Sequence, residues 1–423
     1  MIGTAAIQVL AFASASLIYN VDALSTVGLL GSQPGEADHS FQRGIELEKA
    51  GYARAASQAF HEAATMYQCF MDFDAGDEES NEFGHVTSLK SRGTSGDRVP
   101  SVLAYVTVRL AHLSHDAMGD SKAAARLYRD ATQIDPLPSG VAYYGVGTSF
   151  EASKKVGDDA DDNLDQAIEA YRQSYTISPN NYHTTFSLAV ALERRGHTEE
   201  SEKLMELLRR GGAISNCLVD SWGYVRWHTR KVGPSLNVHR GTRAMLEIGL
   251  NEARDLIEKA DGLVCEFGVA SGRSFRMTKE MLPLETAVHG FDTFTGIPQA
   301  WGKEPVGTYS TGGKIPRVEG KAFFYKGLFS KTIPSFLEEH DGPLAFANID
   351  CDLYSSTYDI LELLRNRIVP GTIIVFDEYL CYPSWREDEF RAWRECCKRF
   401  GWTYEYLAFS LVTKQAVVRV TSA

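Results

Sequence analysis

Apolar and polar positions along the chain change period about halfway. From Ser40 to Gly212 small and apolar residues recur every three or four positions, the spacing of packed helices. Beyond Gly212 short apolar runs alternate with segments of helical period. The runs LVCEF (from Leu263), AVHGFD, AFFYKG, LAFANID, GTIIVFDE, TYEYLAFS and QAVVRVT predict strands. Arg243 to Ala260, SKTIPSFLEEH, STYDILELLRNRI and EDEFRAWRECCKRFG predict helices. Such alternation gives an α/β fold, a doubly wound and mostly parallel sheet with helices on both faces. The last two runs have no helix between them, which predicts a terminal antiparallel hairpin.

The helical half repeats. In GDSKAAARLYRDATQIDP, Gly119 ends one helix, Ala124, Tyr128 and Ala131 line the next, and Pro136 stops it. The register returns as Ala167, Tyr171, Ser174 and Pro179, as Gly196, Ser201, Met205 and Leu208, and earlier as Gly51, Ala56, Phe60 and Ala63. Ala167 and Ser201 lie 34 residues apart, the tetratricopeptide period. The segment resembles a tetratricopeptide superhelix, in which each pair of helices buries its apolar stripe only against its neighbours and a peptide or protein partner is the usual ligand. Asp158 to Asp162 is expected as an inserted loop, and Phe73 to Pro100 as a long loop. The expected organisation is an apolar leader and linker (1–38), an all-α repeat domain (39–212), a linker (213–238) and the α/β domain (239–423).

A formal charge of −12 argues against a nucleic-acid partner, since phosphate binding needs clustered Lys and Arg. The seven cysteines form no CxxC pair and no Cys/His ligand spacing, so reduced thiols are expected. Met1 to Val21 carries no charge and resembles the apolar core of a signal peptide, but lacks a basic n-region. It is either a targeting leader or an unstructured start, which leaves the compartment open between cytoplasm and a secretory or organellar route. No later segment is apolar for long enough to span a membrane.

The candidate chemistry begins at Leu263–Gly272, LVCEFGVASG, which parses as strand, tight turn and helix start. Its glycines let backbone approach a ligand, and the helix N-terminus offers free N–H groups. Gly268 and Gly272 lie four apart, so the GxGxxG spacing of a dinucleotide site is missing and an NAD-dependent dehydrogenase is disfavoured. The spacing resembles motif I of class I methyltransferases, whose S-adenosylmethionine carries an ammonium and a sulfonium that suit the acid Glu266. A side chain at Gly268 or Gly272 is expected to displace the ligand without unfolding the domain. Asp292, 20 residues past Gly272, stands where an acid accepts hydrogen bonds from a ribose diol. Asp350, followed by Asp352, ends one strand, and Asp377 with Glu378 ends another. Adjacent strand ends would put Asp350 and Asp377 roughly 5 Å apart. Carboxylates that close repel unless a cation lies between them, and an oxygen-only set suits magnesium. The alternative is a pair of helix caps. The segment Gly296 to Gly320 reads as a loop able to close over an acceptor. Trp301, Tyr309, Tyr382 and Trp385 either line that pocket or anchor and pack their surroundings.

EFGVASGRS, HGFDTFTGIP, NIDCDLYSSTYDIL, IVPGTIIVFDEY and YPSWREDEFRAW, in this order, resemble the macrocin-type O-methyltransferases over about His239 to Ala423. The resemblance implies S-adenosylmethionine at Glu266, Gly268, Ala270, Gly272 and Asp292. It also implies Mg2+ at Asp350, Asp377 and Glu378, and Asp350 as general base toward the hydroxyl of a sugar or other small molecule; whether Asp350 or Asp352 takes the latter roles stays open. Glu378 departs from the second aspartate often found there and lengthens the ligand's reach. A scaffold with a vestigial catalytic half, acting through the repeats, is the competing reading.

Overall fold

The structure, a computed structural model, describes residues 36–76, 99–134, 140–152, 158–232 and 241–423. The expected leader, residues 1–35, and most of the expected loop, residues 77–98, lie outside them. The chain divides into two compact units, Met1–Leu204 and Met205–Ala423.

The first unit is all helical. Its helices are Glu36–Lys49, Ala53–Gly76, Val99–Asp116, Ser121–Ile134, Gly140–Ala152, Asp158–Ile177 and Tyr182–Arg195, with Thr198–Arg210 crossing the division. Short turns between consecutive helices make antiparallel neighbours. Asn181 caps the helix Tyr182–Arg195 by accepting the N–H groups of His183 and Thr184, and Gly196, at φ 92°, closes it. The repeated positions are buried: Ala56, Ala63, Ala124, Ala131 and Ala167 beside Phe60, Tyr128 and Tyr171. Where serine replaces alanine, its hydroxyl bonds a neighbouring helix. Ser174 donates to the Gly140 carbonyl at 2.6 Å and Ser201 to the Ala189 carbonyl at 2.7 Å.

Each aromatic rests on a glycine, a pairing that the repeat register did not reveal. A Cβ on Gly44 would stand 2.6 Å from the Phe60 ring, one on Gly145 2.3 Å from Tyr128 and one on Gly147 2.4 Å from Tyr171. Glycine is used here for close approach between helices.

Several expected boundaries shift. Phe73 to Gly76 continue a helix and Val99 and Pro100 begin the next, so that loop is shorter than expected. Residues 36–38 are helical and not linker. Asp158 to Asp162 form the first turns of the helix Asp158–Ile177 and not an inserted loop. The expected linker 213–238 opens with a twenty-residue helix, Ala213–Val232, that packs within the second unit. Ser221 Oγ accepts the Cys381 N–H at 2.9 Å, Asp220 receives Trp385 Nε1 at 3.1 Å and Arg386, and the hydroxyls of Tyr224 and Tyr406 lie 2.7 Å apart.

The second unit continues with the helix Thr242–Lys259 and seven strands: β1 (Leu263–Phe267), β2 (Val288–Asp292), β3 (Ala322–Lys326), β4 (Leu344–Ile349), β5 (Ile373–Phe376), β6 (Thr403–Phe409) and β7 (Ala416–Ser422). They form one sheet in the order β3-β2-β1-β4-β5-β7-β6. β1 to β5 are parallel, and β7 runs antiparallel to both β5 and β6. The doubly wound α/β sheet and its terminal hairpin are therefore as the alternation predicts. β1, β4 and β5 are buried along their full length, as expected of parallel strands covered on both faces. Among the described residues no helix is long and apolar enough to cross a membrane.

Gly147 yields a prediction whose sign is unusual. Alanine normally stabilises an interior helical position over glycine. Here the added Cβ meets Tyr171, which is fully buried and donates its hydroxyl to Glu151 at 2.7 Å, so the ring has little room to move. Gly147→Ala is expected to destabilise the chain by about 1–3 kcal/mol in a denaturant titration. A gain in stability would show that the ring yields.

Candidate functional site

The chemistry gathers where the parallel strands end. Backbone bonds carry the ladder one step past each strand: Gly268 N donates to Phe291 O at 2.9 Å, Asp350 N to Phe267 O at 2.8 Å and Asp377 N to Ile349 O at 2.9 Å. Gly268, Asp350 and Asp377 thus stand in one row along the carboxyl edge. That edge is where open α/β sheets bind ligands.

The glycine loop is held from below and behind. Gly268 has φ 93°, and a Cβ there would lie 1.6 Å from the Asp350 carbonyl oxygen. Its need for glycine comes from the neighbouring strand end, so the expectation that a side chain would displace only a ligand is corrected. Ala270 adopts φ 45° and donates its N–H to Asp292 Oδ2 at 2.7 Å, while Phe294 N donates to Oδ1 at 2.6 Å. Asp292 therefore pins both the β1 and β2 loops; Thr293 Oγ1 lies 3.5 Å from the same Oδ1, and Oδ2 keeps a further lone pair. Gly272, at φ 81°, precedes the helix Arg273–Met281, and a Cβ on it would stand 2.9 Å from Pro316.

Glu266 does not project from the strand end. It is 1% exposed, accepting from Ser274 Oγ at 3.0 Å and Asn348 Nδ2 at 3.2 Å, and so ties β1 to the following helix and to β4. Burial, aided by the charges of Asp377 and Asp292, pushes its pKa up to about 8. Acids cluster beside it. Asp350, Asp377 and Glu378 keep part of their surface open, whereas Asp352 and Glu389 are buried. Burial, reinforced by Asp377, Asp352, Glu266 and Glu389, raises Asp350 well above the usual carboxylate range. Asp377, also raised by burial, accepts Gln415 Nε2 at 2.5 Å. Asp352, in left-handed backbone at φ 62°, is pushed by burial and then by Glu378 and Asp377 to about 8. Glu378 is raised by burial to about 7, with both oxygens 3.1 Å from Lys414 Nζ opposing the shift. Among the described residues no three His, Cys, Asp or Glu side chains stand in a metal-holding group.

Glu389, Lys414, Gln415, Asn348 and Ser274 escaped the sequence reading. Glu389 is fully buried; its oxygens receive Cys351 N at 3.5 Å and Glu378 N at 3.2 Å, joining the loops after β4 and β5. In the sequence it looks like any acid at a helix start. Asn348 did carry a signal, as the one polar residue in the apolar run LAFANI.

The four aromatics divide between anchoring and packing. Trp301 Nε1 donates to Asp388 Oδ2 at 3.1 Å and its ring meets Tyr382 edge-on at 5.6 Å, fastening the segment 296–320 to the region after β5. Tyr382 donates to the same oxygen at 3.3 Å, and Trp385, 1% exposed, bonds Asp220. Tyr309 is half-buried with φ 66°.

Gly268→Ala is expected to unfold the second unit or cut its melting temperature sharply, because a backbone carbonyl blocks the Cβ. A folded variant with normal stability would show that the loop can re-form. Glu266 predicts a pH effect. An acid held near 8, against an ordinary value of 4.5, takes up a proton on folding between those values. Its stability contribution is therefore greatest below about 4.5, falls as the pH rises and is lost above about 8. Glu266→Gln should flatten the decline of unfolding free energy between those limits, leaving the part due to Asp352 and Glu378. Asn348 Oδ1, which has no partner, can turn to accept the new amide N–H. An unchanged slope would place the proton uptake elsewhere.

Residues 265–379 match a protein-family model described as a methyltransferase domain. Solved structures similar to this chain include CalS11, a calicheamicin methyltransferase, which is 22% identical with 52% of this chain and 93% of that chain covered at a TM-score of 0.34. The O-methyltransferase NovP is 20% identical, with 44% and 82% covered at 0.34. An O-methyltransferase from Bacillus cereus in complex with SAH is 13% identical, with 48% and 90% covered at 0.30. No curated protein matches the chain. The family match falls on β1 to β5 with their glycine loop and strand-end acids, in a sheet whose last strand pair is antiparallel. Residues 265–379 of the second unit accordingly match a methyltransferase domain.

Proposed function

We propose that the chain is an O-methyltransferase acting on a hydroxyl of a sugar or other small molecule, assisted by Mg2+, with the helical unit as a tetratricopeptide module for a peptide or protein partner. The observation that carries the reading is the single row formed by the glycine loop and the partly open acids Asp350, Asp377 and Glu378. Gly268 to Gly272 and Asp292 would seat the methyl donor, the loop by close backbone approach and Asp292 through its remaining lone pair. Glu266 acts from beneath, keeping the loop in shape.

The acceptor is to be found on the other side of the row. Methyl transfer is an in-line displacement, so holding the two reactants in line supplies much of the rate. A neutral hydroxyl also needs a base. Asp350 is the acid of the β4 loop with open surface, whereas Asp352 is buried, so Asp350 takes that role here. Burial and the neighbouring acids raise its pKa, and a neighbouring cation would oppose that shift.

What supports magnesium is the kind of ligand alone, an oxygen-only set of carboxylates whose pKa values are raised first by burial and then by one another; as they stand, Glu378 is held by Lys414 and Asp377 by Gln415. Asp350, Asp377 and Glu378 would hold the ion, Glu378 after leaving Lys414. When bound, Mg2+ lowers the pKa of a hydroxyl beside it.

Calorimetric titration of the full chain with S-adenosylmethionine, followed by a screen of hydroxyl acceptors with labelled donor, tests the reading. Saturable binding and methyl transfer to oxygen are expected. Excess chelator should abolish transfer while leaving donor affinity within about threefold, and Mg2+ should restore it. Asp350→Ala should lower kcat by roughly 100-fold or more at similar donor affinity. Full turnover under chelation would remove the cation from the scheme. Failure to bind the donor would favour a scaffold acting through the repeats.

A further inference from the structure

The segment after β2 is pinned at its base and again at its tip. At the base Gly296, φ 89°, leaves no room for a side chain: a Cβ there would stand 2.3 Å from the carbonyl oxygens of Gly307 and Thr308. Ile297 N donates to Thr308 O at 3.0 Å and Gly307 N to Ile297 O at 3.0 Å, so residues 297–307 form a closed loop. Trp301 and Glu304 exchange backbone bonds of 2.9 and 2.8 Å around a turn in which Gly302 and Lys303 are exposed. Side chains fasten the tip. Ser355, in the helix Tyr354–Leu363 after β4, donates to Gln299 Oε1 at 3.4 Å. After β5, Asp388 Oδ2 takes Trp301 Nε1 at 3.1 Å together with Ser384 Oγ at 3.0 Å and the Tyr382 hydroxyl at 3.3 Å. An aspartate in front of a helix ordinarily caps it, yet Asp388 makes no side-chain capping bond to the helix Glu389–Phe400. Its carboxylate serves the tip instead.

We propose that Asp388 latches residues 297–307 as a strap across the donor site, and that the strap opens whenever S-adenosylmethionine enters or leaves. The inference rests on the reading that the glycine loop seats the donor, and it needs no cation. In the sheet β1 lies between β2 and β4, with β5 next. A strap rooted after β2 and bonded to segments after β4 and β5 therefore passes the end of β1, where Gly268 to Gly272 lie. Its returning leg sets Pro316 against Gly272, 2.9 Å from where a Cβ would be. A donor seated on that loop is thus roofed. The latch has the strength for this task, since a hydrogen bond to a charged acceptor is worth more than one between neutral groups. The edge-on contact of Trp301 with Tyr382 at 5.6 Å adds to it. Asp388 is a positioning residue that acts through Trp301.

The experiment follows association and release of tritiated S-adenosylmethionine on the full-length chain by rapid filtration, with unlabelled donor as the chase. Asp388→Ala and Trp301→Phe, which lose the bond, should each raise both rate constants about tenfold while Kd moves by less than about threefold, because a latch slows entry and exit alike. Asp388→Asn keeps an acceptor oxygen and should stay within about twofold of the wild type. The charge of Asp388 also raises Asp352 and Glu378, so rates that rise in Asp388→Asn as in Asp388→Ala would assign the effect to charge and overturn the proposal. A merely structural Asp388 would alter release alone or neither rate, and either result in a folded Asp388→Ala overturns it as well. If the variants do not fold, the wild type decides. Hydrogen exchange of residues 297–307 should slow with saturating donor, and equal rates in a chain that binds the donor overturn the proposal. Absence of donor binding in every form would overturn it together with the donor-site reading; binding with unaltered rates removes this inference alone.

Discussion

The second unit is governed by one electrostatic constraint, that too many carboxylates meet at the end of a parallel sheet. Glu266, Asp350, Asp352, Asp377, Glu378 and Glu389 come from β1, the loops after β4 and β5 and the next helix, and the paired cation is Lys414. Moving Glu266 from 4.5 to about 8 corresponds to on the order of 5 kcal/mol against its ionised form. That is comparable to the net stability of a whole domain. Such a group stays protonated at neutral pH and acts as a hydrogen-bonding strut. The partly open acids differ. Their pKa values are raised by burial and by one another, and Lys414 opposes the shift at Glu378.

The glycine-loop half of the site is built on the opposite principle. Gly268 is locked against the Asp350 carbonyl, Ala270 and Phe294 are held by Asp292, and Pro316 lies over Gly272. Every one of these contacts is made within the chain. The ordering entropy of the loop is therefore lost on folding and not again on binding. Trp301, bonded to Asp388, extends the same economy to the segment 296–320, which is turned and anchored where the sequence suggested mobility.

Much of this was legible because periodicity and turn chemistry are local. The sheet followed from apolar runs of strand length, and its final antiparallel pair from the missing helix between TYEYLAFS and QAVVRVT. The repeat positions were legible for the same reason: a small residue is buried in each copy, followed at fixed spacing by a buried aromatic in three copies and by Met205 in the fourth. Gly44, Gly145 and Gly147 were not, since the partner of each lies on another helix. Glu389, Lys414 and Gln415 were hidden likewise, being ordinary surface residues until β7 inserts between β5 and β6 and folds its turn over the acids. The helix Ala213–Val232 could have been found. Cys217, Leu218, Ser221, Trp222 and Val225 are buried at helical spacing, but Gly and several aromatics dilute the propensity that announces a helix.

That helix also bears on how the acids are held. Ser221 accepts the N–H of Cys381, a residue in left-handed backbone, while Asp220 fixes Trp385 and Arg386. Both contacts fall on the segment that follows Asp377 and Glu378 and leads to Glu389. Tyr224 reaches β6 through Tyr406, whose hydroxyl also meets Tyr379 at 2.6 Å. The backbone after β5 is thus gripped from one side by a helix N-terminal to the family match and from the other by the Lys414 carbonyl. A loop free to relax would let its carboxylates turn away from one another into water. One clamped at Tyr379, Leu380 and Cys381 cannot, so the crowding is maintained by contacts whose partners, Lys414 and Ser221, lie outside residues 265–379.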